Sequence, residues 1–429
     1  MEVIKTRDTL IDALNQAAEL EHLLCCSYLF AGFSIKKSPD ETLQLVQTEQ
    51  TREWATQIML IARQEMEHLG MACNLLSAVG ASPNFSRANF PQPAGYLPVD
   101  LPSELSRFSL DTVERFIQFE KPDWPGQVSS QVEQRQTSEE AFIPYSSLQE
   151  LYEEIRQGFI NLDEQLGAEV LFIGPTEAQI TNQTLFDQTA KGYQINLQGV
   201  LAKDPKDRLK EAVAMIDQII AEGEGAPTSS AGSHYARFVN IKEQYQALLS
   251  ENPSFNPAKP VADNPQTFKH PSGGQGTVIS NPLTLQVAQL FNLVYETMLL
   301  LMIRFYAHTD ETPTELTALQ EIAFFPLMTM GIRPLGEVLT EMPIDDGTSG
   351  LCAGPPFELE RPLHFLPHKE AAWRILQELL DRTGAEAEAL AELARMMQSP
   401  VAERLHFISL SLKRNAENFG AYVHGKENI

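Results

Sequence analysis

Apolar residues recur three and four positions apart along most of this chain, the spacing that buries one face of an α-helix. The pattern predicts helices over residues 9–33, 42–79, 110–120, 145–162, 207–224 and 233–249, and again over 283–308, 314–330, 368–383 and 385–420. Gly80 with Pro83 behind it is an ordinary stop for the second of these. Residues 84–102 are rich in Pro and Asn and read as loop, and the polar stretch 126–141 reads as a surface excursion. The mixture of β-branched, aromatic and turn-forming residues over 171–200 supports no firm assignment. From 252 to 282 Pro, Asn, Gly and Ser dominate, which marks a linker or extended loop. The fold class that follows is all-α, divided into a helical bundle over 1–251, a connecting segment over 252–282 and a mostly helical C-terminal region over 283–429.

Several apolar stripes are interrupted by groups that do not belong on a buried face. Glu21 continues Leu10, Leu14, Ala17, Leu24 and Tyr28. Glu65 and His68 lie on the stripe of Trp54, Ile58, Ile61, Ala72 and Leu75. Glu120 follows Val113, Phe116 and Ile117, and Glu224 follows Val213, Ile216 and Ile220. His234 opens the stripe of Phe238, Ile241, Tyr245 and Leu248. A carboxylate on such a face is costly unless its charge is compensated, and several together repel one another, so the set calls for cations.

One bundle architecture accommodates such a set: a dinuclear metal centre with one Glu from each of two helices and Glu-x-x-His from each of the other two, as in ferritin-like four-helix bundles. Glu21 and Glu120 serve as the single acids. Glu65 and His68, three apart and so on one helical face, form the intact pair. Glu224 and His234 depart from the spacing: they are ten apart, and the intervening Gly-Ala-Pro-Thr-Ser-Ser-Ala-Gly-Ser requires the helix to loop out and re-enter. Glu150 and Glu154 are alternatives to Glu120. Carboxylate with imidazole suits iron, manganese or zinc, and spacing does not choose among them. Tyr28, seven residues after Glu21 on the same face, is either a packed core residue or a redox or hydrogen-bonding group beside the metals. His22 points about 100° away from Glu21 and is read as a non-ligand.

Composition narrows the picture. With 57 acidic and 32 basic residues the net charge is −25, which argues against binding nucleic acid or an anionic membrane surface. Cys25, Cys26, Cys73 and Cys352 form neither a CxxC pair nor a zinc spacing; the adjacent Cys25 and Cys26 read as small core residues, which fits a reducing compartment. No signal-peptide core opens the chain, and the most apolar run, 290–306, carries Asn292, Glu296 and Arg304 and reads as too short and polar to span a bilayer. A cytoplasmic protein is expected. The Gly-rich run 272–276 follows no predicted strand and opens no helix, so it is given no phosphate-binding role.

The segments Glu19-Leu-Glu-His-Leu-Leu-Cys-Cys-Ser-Tyr-Leu-Phe-Ala31, Glu65-Met-Glu-His-Leu69, Asn74-Leu-Leu-Ser-Ala-Val-Gly80 and Phe119-Glu-Lys-Pro122 resemble the ferritin-like family of iminophenyl-pyruvate dimer synthase domains. Glu222-Gly-Glu-Gly225 with Ser233-His-Tyr-Ala-Arg-Phe238 is similar to its second half. Stretches 291–306 and 353–358 are similar to segments that follow the domain in that group, which occurs in violacein- and rebeccamycin-type pathways. The resemblance covers residues 5 to 250. It implies a bacterial oxidoreductase of secondary metabolism, with Glu21, Glu65, His68, Glu120, Glu224 and His234 as metal contacts. The expectation is therefore a non-haem enzyme with two iron ions, dioxygen as co-substrate and a small amino-acid-derived metabolite as substrate. An electron donor and a homodimer remain open as partners. A metal-storage protein and a non-catalytic scaffold are the competing readings.

Overall fold

The computed structural model describes residues 4–39, 43–92, 103–121, 145, 147–182, 196–223, 232–270, 275–307 and 310–423. The sequence readings on 126–141 and on Glu224, and most of the Gly-rich run, lie outside the described residues. The chain forms two compact units. The first comprises Met1–Pro83, Gln92–Ser103 and Phe108–Pro257, and the second Asn84–Pro91, Glu104–Arg107 and Ala258–Ile429.

The first unit is built from α1 (Arg7–Ser34), α2 (Leu45–Ala78), α3 (Leu110–Phe119), α4 (Leu148–Leu166), α5 (Pro205–Glu222) and α6 (His234–Glu251). A capping box starts α1: the Thr6 side chain accepts from the Thr9 N–H, and the Thr9 hydroxyl oxygen accepts from the Thr6 N–H, both at 3.1 Å. Every residue of α1 from Leu20 to Ser34 is buried, so its amphipathic first half becomes a helix enclosed on all sides. α2 pairs with it over most of their length, α4 packs on α1 and α5, and α3 packs on α6. Gly80, at φ +86°, turns the chain after α2 in the left-handed region that Gly tolerates best.

The region 171–200, which periodicity leaves open, is mostly irregular where described, with a short helix ending at Leu171 and a 3₁₀ turn at Thr176–Ala178, and buried amides hold it. Asn74 on α2 donates to the carbonyls of Ile180 and Gln198, each at 2.7 Å, and accepts from the Ile180 N–H at 2.9 Å. Gln179 bridges to both backbone groups of Val200. These amides satisfy backbone groups that no ladder or helix reaches.

In the second unit, α7 (Pro282–Ala307) is central and buried continuously from Leu290 to Tyr306. Three of its buried polar residues are paired. Asn292 donates to Glu358 at 3.0 Å, Glu296 accepts from the Glu360 N–H at 2.6 Å, and Arg304 pairs with Glu311. The expectation that this run is too short for a bilayer is corrected on length. At 26 residues α7 is long and apolar enough to cross one, as is α8 (Pro313–Leu339). Of the most apolar window of α7, 89% is buried by the chain's own residues, which is the situation of a core helix. α8 outruns its predicted end at 330 because wide π-type turns at Ala318–Phe324 and Leu327–Ile332 carry it past Pro326.

The last two helices are α9 (Lys369–Met396) and α10 (Ala402–Val423). The predicted break at Gly384 is wrong: α9 runs through it. A Cβ there would lie 3.2 Å from the Lys413 Cα, so this glycine admits close approach of α10 rather than ending a helix. The true break follows Met397, at Gln398 (φ +54°), Ser399 and Pro400. Ahead of α7, the extended chain from 258 pairs Pro265–Gln266 (β1) in parallel with Thr277–Val278 (β2).

Candidate metal centre

α1, α2, α6 and the end of α3 bring five of the six sequence-nominated ligands together. Glu21, Glu65, His68, Glu120 and His234 are each 1% exposed or less. Glu120 is the cap that ends α3, one residue past the helix, its N–H still bonded to the Phe116 carbonyl at 3.1 Å. Its side chain is buried all the same. Of the alternatives, Glu150 is exposed and Glu154 half-buried, on the first turns of α4. His234 is the first residue of α6, set by the Ser233 cap, whose hydroxyl accepts from the Ala236 N–H.

The distances are short. His68 Nδ1 lies 3.2 Å from Glu65 Oε2 and 3.7 Å from Glu21 Oε2. His234 Nδ1 lies 2.8 Å from Glu65 Oε1 and 3.5 Å from Glu120 Oε2. The two imidazoles stack with centroids 5.4 Å apart. Glu65, His68 and His234 each offer a donor atom within 4.8 Å of the others. Glu65 thus sits between the two histidines, one oxygen toward each.

Two buried phenols hold the outer carboxylates. Tyr152 on α4 donates to Glu21 Oε1 at 2.7 Å, and Tyr28 donates to Glu120 Oε1. Tyr28 also packs edge-on against Phe116 at 4.6 Å and lies 5.1 Å from Phe238, so it is a core residue and a hydrogen-bonding group at once. Burial, then the charge of Glu65, raises the Glu21 carboxyl to about 7 despite the opposing pull of His68. Burial works to raise Glu65 as well, but His234 beside it brings it below the ordinary range. Burial would lower both imidazoles; the surrounding carboxylates win, taking His234 to about 9 and His68 well above its usual value.

Among the described residues, four buried polar atoms here make no hydrogen bond: Glu21 Oε2, Glu65 Oε1 and both ring nitrogens of His234. Buried orphans of this kind are rare and costly, and the Glu65–His234 pair is orphaned although its atoms approach to 2.8 Å. Apart from the His68 Nδ1–Glu65 Oε2 hydrogen bond, carboxylate oxygens and imidazole nitrogens converge here unbonded, a donor set suited to a metal ion of the iron, manganese or zinc type.

Sequence reasoning passed over Tyr152 and Glu222. Tyr152 lies among Leu151, Ile155 and Phe159 with no buried acid on its own helix to single it out. Glu222 did carry a signal: the buried face of α5 is Ala212, Met215, Ile216 and Ile219, one position off the stripe read from periodicity, and Glu222 continues it. Glu222 Oε2 lies 3.3 Å from His68 Nε2.

A helical bundle enclosing carboxylates and imidazoles contributed by several helices is the architecture of dinuclear carboxylate proteins. Residues 14–243 match the family described as Ferritin-like, and the chain belongs to that family. Among curated proteins it is 28% identical over 95% of its length to dichlorochromopyrrolate synthase of Lentzea aerocolonigenes. It is 27% identical over 82% of its length to 2-imino-3-(indol-3-yl)propanoate dimerase of Chromobacterium violaceum. The chain spans 41% and 34% of those two proteins. A solved ferritin like protein from Caulobacter vibrioides is similar at 19% identity and a TM-score of 0.41, over 74% of this chain and 96% of that one.

Proposed function

We propose that this protein is a non-haem oxidoreductase of secondary metabolism in which Glu21, Glu65, His68, Glu120 and His234 hold two metal ions, iron in the working enzyme. Glu224 is the proposed sixth ligand. The observation that carries the reading is the cluster of orphaned, buried carboxylate and imidazole atoms, a charge arrangement that bound cations make tolerable. A bound pair of ferrous ions would supply the reduction of dioxygen and oxidation of a substrate, chemistry that no side chain in the cluster provides alone.

The protein's own contribution is arrangement. Glu65 reaches toward both histidines, Tyr28 and Tyr152 fix the outer carboxylates, and the aromatic packing of Phe116 and Phe238 around Tyr28 excludes water from that side. The substrate we propose is a small aromatic acid derived from an amino acid. The names of the two curated relatives support an indolic one.

Elemental analysis after anaerobic iron loading should find about two irons per chain, the stoichiometry of a dinuclear site. The loaded protein should consume dioxygen when given substrate. A protein that retains no iron, or the Glu65→Ala and His68→Ala variants keeping full pathway output, would overturn the proposal. A large hollow assembly by size exclusion would favour iron storage instead.

A further inference from the structure

The two nitrogens of His68 face different groups. Nδ1 looks toward Glu65 Oε2 and Glu21 Oε2, inside the cluster. Nε2 looks the other way, to Glu222 Oε2 at 3.3 Å. Glu222 is not a loose surface acid. It is the last residue of α5, and its side chain is only 23% exposed. Its second oxygen accepts from Asn196 Nδ2 at 3.0 Å and from Gln218 Nε2 at 3.1 Å. Gln218 lies one turn earlier on the same helix, so the carboxylate is clamped from its own element and from the segment around Asn196. That clamp aims the remaining oxygen at His68.

A neutral imidazole carries one proton, and the partner of one nitrogen decides what the other can do. Nδ1 faces acceptors as well, so with a cation among those carboxylates an acceptor fixed at Nε2 keeps the proton there and leaves the Nδ1 lone pair for the cation. We infer that Glu222 is the positioning residue of His68: it holds the Nε2–H tautomer and the ring orientation, so that Nδ1 is the ligating nitrogen. Glu222 thereby acts through His68 and not as a ligand in its own right. The inference rests on the dinuclear reading above and deepens it. Groups behind a ligating His commonly tune a metal site about 10–100-fold.

The test uses the full chain, stripped with chelator and reloaded with Zn²⁺ as a diamagnetic probe, with ¹⁵N-labelled histidine. The wild-type spectrum should show His68 protonated at Nε2. Glu222→Leu should bind Zn²⁺ about 10–100-fold more weakly at unchanged stoichiometry, with the Nε2–H resonance shifted or lost to exchange. Glu222→Gln keeps an acceptor oxygen and should recover most of both, which separates positioning from general damage to α5. Wild-type affinity in Glu222→Leu overturns the inference, and so does a proton found on Nδ1. Loss of a whole zinc equivalent in Glu222→Leu and Glu222→Gln alike overturns it too, making Glu222 a ligand. A wild-type protein that takes up no metal overturns both this inference and the dinuclear reading, whereas any of the other failures leaves that reading standing.

Discussion

At the scale of single residues, the tyrosines separate packing from chemistry. Phe in place of Tyr28 or Tyr152 keeps the ring and removes only the hydroxyl. Each substitution strands a buried carboxylate oxygen, Glu120 Oε1 or Glu21 Oε1, that now accepts from a phenol. Leaving a buried acceptor unsatisfied costs about 1–3 kcal/mol. Urea denaturation of the metal-free Tyr152→Phe protein should show a loss of that size with helicity unchanged. Stability equal to wild type would make the phenol mere filler. This residue scale is also where the sequence spoke most plainly. Glu21, Glu65, His68 and His234 stood out because a charge on an apolar stripe is physically costly, and the structure buries all four. Glu120 caps α3 one residue past its end and is buried along with Val113 and Phe116 of its stripe. Tyr152 was invisible, because its role depends on a partner 131 residues away that no local pattern encodes.

Among the elements, Gly384 shows why periodicity finds helices more reliably than it ends them. Gly is poor in helix interiors, so reading it as a stop was reasonable from propensity. Its real constraint is tertiary: α10 passes so close that a Cβ would meet Lys413 Cγ at 3.0 Å, Cα at 3.2 Å and N at 3.3 Å. Two effects then compete in Gly384→Ala. Helix propensity favours Ala by about 1 kcal/mol. Overpacking against backbone, which cannot swing aside as a side-chain tip can, costs about 1–3 kcal/mol. The clash should win, giving a net destabilisation in chemical denaturation. A more stable variant would mean that α9 and α10 separate freely. The same tertiary blindness explains α5, where the stripe was read one position off. Val213 and Ile220 are only half-buried, while Ala212 and Ile219 are fully enclosed, and that small rotation moved Glu222 from the polar face to the edge of the cluster.

For the whole molecule, the cluster links folding to protons and, as proposed, to metal. In the metal-free protein Glu21 titrates near 7 against an ordinary 4.5, and His234 near 9 against 6.5. Both shifts are upward, so the native state holds these protons more tightly than the unfolded chain. The stability they contribute is complete below 4.5 for Glu21 and below 6.5 for His234. It is lost as pH rises through about 7 and about 9 respectively. Glu65 and Glu222 are shifted downward and act oppositely, contributing above the ordinary carboxylate range and losing that contribution in acid. Metal-free protein should therefore lose thermal stability between pH 6.5 and 9. On the proposed reading metal would take the place of the protons, since its ligands must be deprotonated to bind. Loaded protein should lack the alkaline decline, and the gap in Tm between loaded and stripped protein should widen steadily from pH 6 to pH 9. Calorimetry with and without chelator across that range decides it. A gap that stays constant would show that the buried acids and imidazoles exchange no protons for metal. A gap that narrows would place the binding groups elsewhere in the chain.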